Sequence, residues 1–225
     1  MKRSEINKAI TEAVALANRY CFKLPPFAFW SPEEWKTKGE EYDEIRDNYL
    51  GWDITDFGLA DFRKTGLLLF TLRNGNHKIE KYKKTYAEKL LISEEGQVTP
   101  FHFHWSKMED IIVRGGGNMM IKLYNSTPEG AFSNEPVRVS SDGRNYSVPA
   151  GTILRLIPGE SITLYPGLYH SFWGEEGHGS VLIGEVSMTN DDSADNRFYE
   201  NIGRFPEIEE DQPPIYLMCN EYPKV

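Results

Sequence analysis

"TPFHFHWSKMED", residues 99–110, sets two histidines one residue apart and follows them closely with an acid. In an extended strand alternate side chains share a face. His102 and His104 are therefore expected to point together, while Phe101, Phe103 and Trp105 turn the other way into packing. About 7 Å of backbone separates the two imidazoles, a spacing from which both converge on one ion. "WSKM" leaves room for a turn, after which Glu109 opens the next strand and brings a carboxylate. Downstream, in "YPGLYHSFW" (residues 165–173), a proline-glycine turn directs His170 inward at a strand start. Three neutral nitrogens and one carboxylate suit a divalent first-row transition metal, and in an octahedral ion they leave two positions open for chemistry. His77 beside a turn and His178 in the glycine loop "EEGHGS" have no such company and are expected in solvent.

Around this stretch the chain reads as all-β. "TGLLLFTLRNG", "YAEKLLIS", "QVTPFHFHW", "DIIVRGG", "NMMIKLYNS", "TILRLIPG", "SITLYPG", "YHSFWGE" and "SVLIGEVSM" are short, rich in β-branched and aromatic residues, and divided by Gly, Asn and Pro. Many such segments with no helices between them predict a β-sandwich or barrel. Ahead of them, Ile6, Ile10, Ala13, Val14 and Ala17 recur at helix spacing, with Ser4 as N-cap and a stop near Pro25 and Pro26. "SPEEWKTKGEEYDEIRDNYL" predicts a second helix with Ser31 as cap and Pro32 in the first turn. The organisation expected is one domain over 1–225: a helical extension to about residue 50, a β-barrel over about 65–190, and a segment over 190–225 that wraps the barrel with Phe198, Tyr199, Ile202, Phe205, Ile215, Tyr216 and Leu217.

Composition narrows the function. Against 25 basic side chains stand 34 acidic ones, a net charge of −9, which repels phosphate backbones and anionic membranes. No helix-turn-helix or basic segment is visible. Neither nucleic acid nor membrane is an expected partner. The start, "MKRSEINKAITEAVALANRY", lacks the apolar run of a signal peptide, and nothing approaches the roughly 20 apolar residues of a membrane span. Cys21 and Cys219 are accordingly read as free, reduced thiols of a cytoplasmic protein.

"HFHWSKMEDIIVRGG" resembles the first motif of the cupin superfamily, with HxH, Glu109 and Gly116 in its pattern. "GESITLYPGLYH" is similar to the second, with Gly159, Gly167 and His170, although Pro166 falls next to Gly167 instead of two before it. Together with "NDDSADNRFYENIGRFPEIEEDQPP", these stretches look like the D-lyxose isomerase family, a likeness running from about residue 20 to the C-terminus. The resemblance implies a single cupin (jelly-roll) β-barrel and a homodimer. It implies a metal held by His102, His104, Glu109 and His170, with manganese favoured. The implied reaction interconverts D-lyxose and D-xylulose through a cis-enediol, with D-mannose and D-fructose as a second pair.

Such a reaction moves a proton between C1 and C2 while negative charge gathers on oxygen. Lys107, in the turn before Glu109, is read as the base, its pKa lowered by burial and a nearby cation; the alternative is a solvated turn lysine. Glu185, an acid in the apolar strand "LIGEVSM", must face a cavity or a partner. Asp195, Asn196, Arg197 and Glu200 are candidates for sugar hydroxyls, Glu200 also for proton relay with Lys107, and Phe172 with Trp173 for an apolar wall. Asp110 is read as lying behind the ligands or in solvent. Two rivals fit the same ligands: a cupin dioxygenase using iron and oxygen, and a non-catalytic sugar-binding protein.

Overall fold

Ile6, Ile10, Ala13 and Ala17 do fall on one buried side of helix α1 (Arg3–Arg19). The computed structural model describes residues 1–192 and 194–224. Lys2 caps α1 in place of Ser4, because the returning tail occupies that serine: its amide and hydroxyl both bond the Asp211 carboxylate. The second helix expected over residues 31–50 breaks into α2 (Pro32–Trp35), a 3-10 turn and α3 (Asp43–Asp47). Ser31 caps α2 reciprocally with Glu34. Beyond it, Trp30 meets Trp35 and Tyr42 edge-on, with ring centroids 5.1 and 5.0 Å away. Aromatic packing thus overrides the propensity for one straight helix.

The strands follow in chain order: β1 (Gly51–Thr55), β2 (Leu67–Arg73), β3 (Tyr86–Ser93), β4 (Thr99–His104), β5 (Glu109–Gly116) and β6 (Met119–Asn125). Next come β7 (Val137–Ser141), β8 (Arg144–Val148), β9 (Ile153–Leu156), β10 (Ser161–Leu164), β11 (Leu168–Gly174), β12 (Val181–Met188) and β13 (Asn196–Phe198). All nine segments read as strands are strands, while β1, β7, β8 and β13 go beyond that reading. The β7–β8 hairpin turns on Asp142-Gly143, both at positive φ, the pair that a tight hairpin turn favours.

Two antiparallel sheets result. The larger runs β1-β2-β3-β12-β5-β10-β7-β8 and the smaller β13-β4-β11-β6-β9. Leu69, Leu91, Ile111, Val113 and Ile183 of the larger meet Ile121, Leu123, Leu168 and Phe172 of the smaller in one core. The all-β architecture expected from the sequence is the one observed, as two facing sheets that do not close into a continuous barrel.

A second apolar layer lies outside the larger sheet, where α1 packs on Trp52, Ile54, Leu68, Phe70, Leu90 and Leu182. That layer explains why "LLLF" shows no alternation. Leu67 and Leu69 enter the core between the sheets, Leu68 and Phe70 turn toward the helix, and both faces of β2 are buried. In the tail, Phe198 and Ile202 pack on the inner core, and Ile208 and Tyr216 on the helix layer. Phe205 and Ile215, expected to pack, stay 45% exposed. Buried Arg3 ties the two ends of the chain by bonding Glu210 and Glu221.

Because Ile10 is fully covered on the helix side of the larger sheet, Ile10→Ala should lower the unfolding free energy by about 3 kcal/mol. Urea denaturation measures this, and bound metal should be unchanged, since the histidines lie on the other side of that sheet.

Candidate active site

Strand β4 lies between β13 and β11, and its pleat turns His102 and His104 to the inner face. His170 of β11 stands directly opposite His102 in the ladder. It is brought there by the Pro166-Gly167 turn, where Gly167 has φ +77° and its N–H donates to the His104 carbonyl at 2.9 Å. A side chain at that φ would be strained, so glycine fixes where β11 starts. One donor atom from each of the three histidines lies within 4.8 Å of the others.

The imidazoles are oriented from behind. His102 Nδ1 lies 2.9 Å from the Pro100 carbonyl and His170 Nδ1 3.0 Å from that of Leu168. A carbonyl only accepts, so Nδ1 carries the proton in both rings and Nε2 offers its lone pair to the centre. His170 Nε2 is buried with no hydrogen-bond partner among the described residues, as is His104 Nδ1.

Glu109 reaches in from the opposite sheet. Its Oε1 lies 3.2 Å from His104 Nε2 and 3.4 Å from His170 Nε2, and its Oε2 lies 2.7 Å from Lys107 Nζ. This set of neutral nitrogens with one carboxylate, including an unpaired buried lone pair, fits a divalent transition ion.

Electrostatics keep these groups competent as ligands. Burial, with help from the neighbouring imidazoles, pushes His102 well below its usual range, and burial lowers His170 to about 4. Burial would raise the Glu109 carboxyl, but Lys107 and the histidines outweigh it and hold the group well below the carboxylate norm. For Lys107, in the chain without an ion, the balance runs opposite to the direction expected from sequence. Burial acts to lower it, yet Glu109, Glu185 and Asp192 outweigh burial and raise it above the lysine norm. All three N–H bonds of the ammonium are engaged, to Glu109 at 2.7 Å and to Glu185 and Asn190 at 3.0 Å each.

These side chains line a cleft of about 580 Å³ between the sheets, counting the part open to solvent. Its polar lining comes from the histidines, Lys107, Glu109 and Glu185, and its apolar lining from Phe57, Leu67, Leu69, Phe172 and Phe198.

The sequence profile of the D-lyxose isomerase family matches residues 1–222. The chain belongs to the D-lyxose isomerase family. A D-lyxose/D-mannose isomerase of Serratia proteamaculans is 50% identical, with 99% of this chain and 98% of the relative covered. One from Escherichia coli O157:H7 is 48% identical over the same shares. Among solved structures, the L-ribose isomerase of Cellulomonas parahominis superposes with a TM-score of 0.61 at 16% identity, covering 93% of this chain and 98% of that one; that likeness shows a shared fold. The enzyme class expected from the sequence, a sugar isomerase, is the class of the family.

In this family member the other candidate residues divide. Lys107 and Glu185 both line the cleft, as does Phe172, while Trp173, the next residue along β11, turns to the opposite face. Asp195 sits behind the cleft and builds it: Oδ1 accepts from the Ser106 amide and hydroxyl at 2.8 and 2.7 Å, and Oδ2 from the Lys107 amide at 3.0 Å. Arg197 is exposed near Gly130, Glu200 is exposed, and neither lines the cleft that Lys107 lines. Trp105, expected to pack, is 58% exposed because β4 ends at His104 and its alternation stops there. Asp110 faces away from the cleft and accepts from the Thr163 hydroxyl. His77 and His178 are exposed as expected.

Sequence reasoning missed Thr55, Lys89, Asp192 and Arg204, which also line the cleft. Lys89 lies directly opposite Glu185 across the β3–β12 ladder, with 3.3 Å between Nζ and Oε1. Arg204 bonds Asp53 of β1 and, at 3.3 Å, Asp192. Lys89 carried one readable signal, a cation inside a strand. Asp192 and Arg204 sit in polar tail sequence with none.

In chelator-treated protein His170 stays neutral down to about pH 4, whereas in the unfolded chain it takes a proton near pH 6.5. Between those values the unfolded state binds more protons, so stability should fall as pH drops from 6.5 to 4, by about 3 kcal/mol from this imidazole. Urea titrations across that window test it, and a flat profile contradicts a buried neutral ring.

Proposed function

We propose that this chain is a metal-dependent aldose–ketose isomerase acting on D-lyxose and D-xylulose, with D-mannose and D-fructose as a second pair. The carrying observation is the convergence of three imidazoles and Glu109 beside Glu185, itself held by two lysines, inside the cleft between the sheets. The two relatives named for D-lyxose and D-mannose support the substrate pair, since those aldoses share their configuration at C2, C3 and C4. His102, His104, Glu109 and His170 would hold the ion, manganese in this proposal, which when bound supplies Lewis acidity to the oxygens at C1 and C2.

The chain's own residues carry the proton. Glu185 takes it from C2 of the aldose and returns it to C1 of the cis-enediol, while the O2 hydroxyl passes its proton to O1. Lys89 and Lys107 both hold its Oε1, which leaves Oε2 for the transfer. Lys107 does not serve as the base, because its protons are committed. It fixes Glu109 and Glu185 relative to one another and puts positive charge where the enediol oxygens gather negative charge. Phe57, Phe172 and Phe198 exclude water from the carbon being deprotonated.

A cytoplasmic homodimer belongs to the same proposal. Cys21 and Cys219 are unpaired thiols. Tyr86, Val186 and Met188 form an exposed apolar strip on adjacent strands β3 and β12, a surface suited to a second copy. Light scattering at twice the chain mass supports that part, and a monomer removes it.

Glu185→Gln should retain metal yet lower turnover by about 10²–10⁴-fold, while His170→Ala should lose metal and turnover together. In D₂O the wild-type protein with Mn²⁺ should convert D-lyxose to ketose with solvent deuterium on carbon and no oxygen consumed. Oxygen uptake without ketose indicates the dioxygenase, and sugar binding without turnover the sensor.

A further inference from the structure

Four buried side-chain polar atoms among the described residues lack a hydrogen-bond partner, and all four belong to residues lining the cleft. Two are nitrogens of the histidine centre. A third is Thr99 Oγ1, and the fourth, Asn196 Oδ1, lies on the tail strand β13. Native folds rarely leave such atoms unpaired, so their concentration in one cleft points to a ligand that completes them.

We propose that Asn196 is a specificity-determining residue whose Oδ1 accepts a hydrogen bond from a hydroxyl of the sugar, and that Asp192 and Arg204 hold it in that orientation. This rests on the sugar-isomerase reading above and deepens it.

The register places the residue. β13 pairs with β4 so that Asn196 stands opposite His104, Arg197 opposite Phe103 and Phe198 opposite His102. Alternation sends Asn196 and Phe198 into the cleft and leaves Arg197 outside. Asn196 is therefore the polar side chain that β13 sets beside the histidine centre.

Its amide has one available orientation. Nδ2 donates to Asp192 Oδ1 at 3.2 Å, and a carboxylate only accepts, so the nitrogen is committed and the oxygen points away from Asp192. Asp192 is fixed in turn by Arg204, 3.3 Å from its other oxygen, and Arg204 is anchored on buried Asp53 of β1. Burial would raise the Asp192 carboxyl, but Lys89, Arg204 and Lys107 outweigh it and keep the group ionised. The relay Asp53–Arg204–Asp192–Asn196 thus runs from the edge of the larger sheet to a single acceptor atom.

That acceptor selects the chemistry of its partner. A carboxylate or phosphate brings no proton and would be repelled by Asp192 behind the amide. A neutral polyol supplies an O–H donor at low cost in desolvation, so the site discriminates by the presence and direction of one hydroxyl.

The test compares wild type, Asn196→Ala and Asp192→Asn, each loaded with Mn²⁺, on D-lyxose, D-mannose and the 3-, 4- and 5-deoxy forms of D-lyxose. Wild type should lose about fivefold to tenfold in kcat/KM on one deoxy sugar. Asn196→Ala should lose a similar factor on D-lyxose, mainly in KM, and nothing further on that same deoxy sugar, with metal content unchanged. Asp192→Asn should blunt the same discrimination, because a neutral partner no longer commits the amide. An equal loss on every sugar, no loss, or loss of metal would overturn the assignment. If wild type turns over neither D-lyxose nor D-mannose, the proposed function fails and takes this assignment with it. Wild-type turnover with unaltered selectivity in Asn196→Ala sinks the assignment alone.

Discussion

The carboxylate of Glu109 is where the two sheets meet chemically. Three imidazoles project from the smaller sheet, while Glu109 arrives from the larger sheet as a buried anion. Leaving such an anion unpaired costs several kcal/mol, and Lys107 removes that cost at 2.7 Å. Lys107 keeps its place because Asp195, from the tail, accepts the amides of Ser106 and Lys107 and holds the turn that carries them. The order of dependence therefore runs from tail to turn to lysine to carboxylate to imidazoles. A segment that reads as a polar appendage is what keeps the ligand set assembled.

How far the site was legible follows from the range of the interactions that make it. The pair His102 and His104, the turn before His170 and the position of Glu109 depend on pleat and turn geometry within a few residues, so the sequence discloses them. The charge on Lys107 depends on Glu185, 78 residues away, and on Asp192 beyond it, and local reading therefore inverted the sign of its shift. Phe172 and Trp173 show a readable signal left unused, because once His170 points inward alternation sends Phe172 in and Trp173 out. The Asp142-Gly143 hairpin is another. Lys89 was hidden for a different reason: β3 is buried on both faces, so hydrophobicity no longer tells which face is which. Arg204 and Asp53 sit 151 residues apart, and only the finished topology pairs them.

Placing charged residues on the inner face of a sandwich is costly, and the larger sheet does it repeatedly. Lys89, Glu185 and Asp53 all lie among Leu67, Leu69, Leu91 and Ile183 on that face. Each is compensated locally, Lys89 by Glu185 across the ladder and Asp53 by Arg204 from the tail. A hydrophobic replacement would pack the same volume with no such compensation needed. Retaining the charges makes physical sense where the cleft must handle a polar ligand and move a proton, which is the use proposed for Glu185 and its two lysines.

The charge balance of the cleft carries this one step further. Lys89, Lys107 and Arg204 line the cleft with Glu109, Glu185 and Asp192, three cations against three carboxylates. On their own these residues carry no net charge, which leaves no surplus to meet the negative charge that the proposed transition state gathers on two oxygens. A divalent cation held by His102, His104, Glu109 and His170 would supply that surplus where the charge develops, which is the condition for stabilising a transition state more than a ground state. The lysines alone do not meet it, since each is already committed to a carboxylate. The proposed ion would therefore answer the charge balance of the chain's own side chains as well as the geometry of its imidazoles.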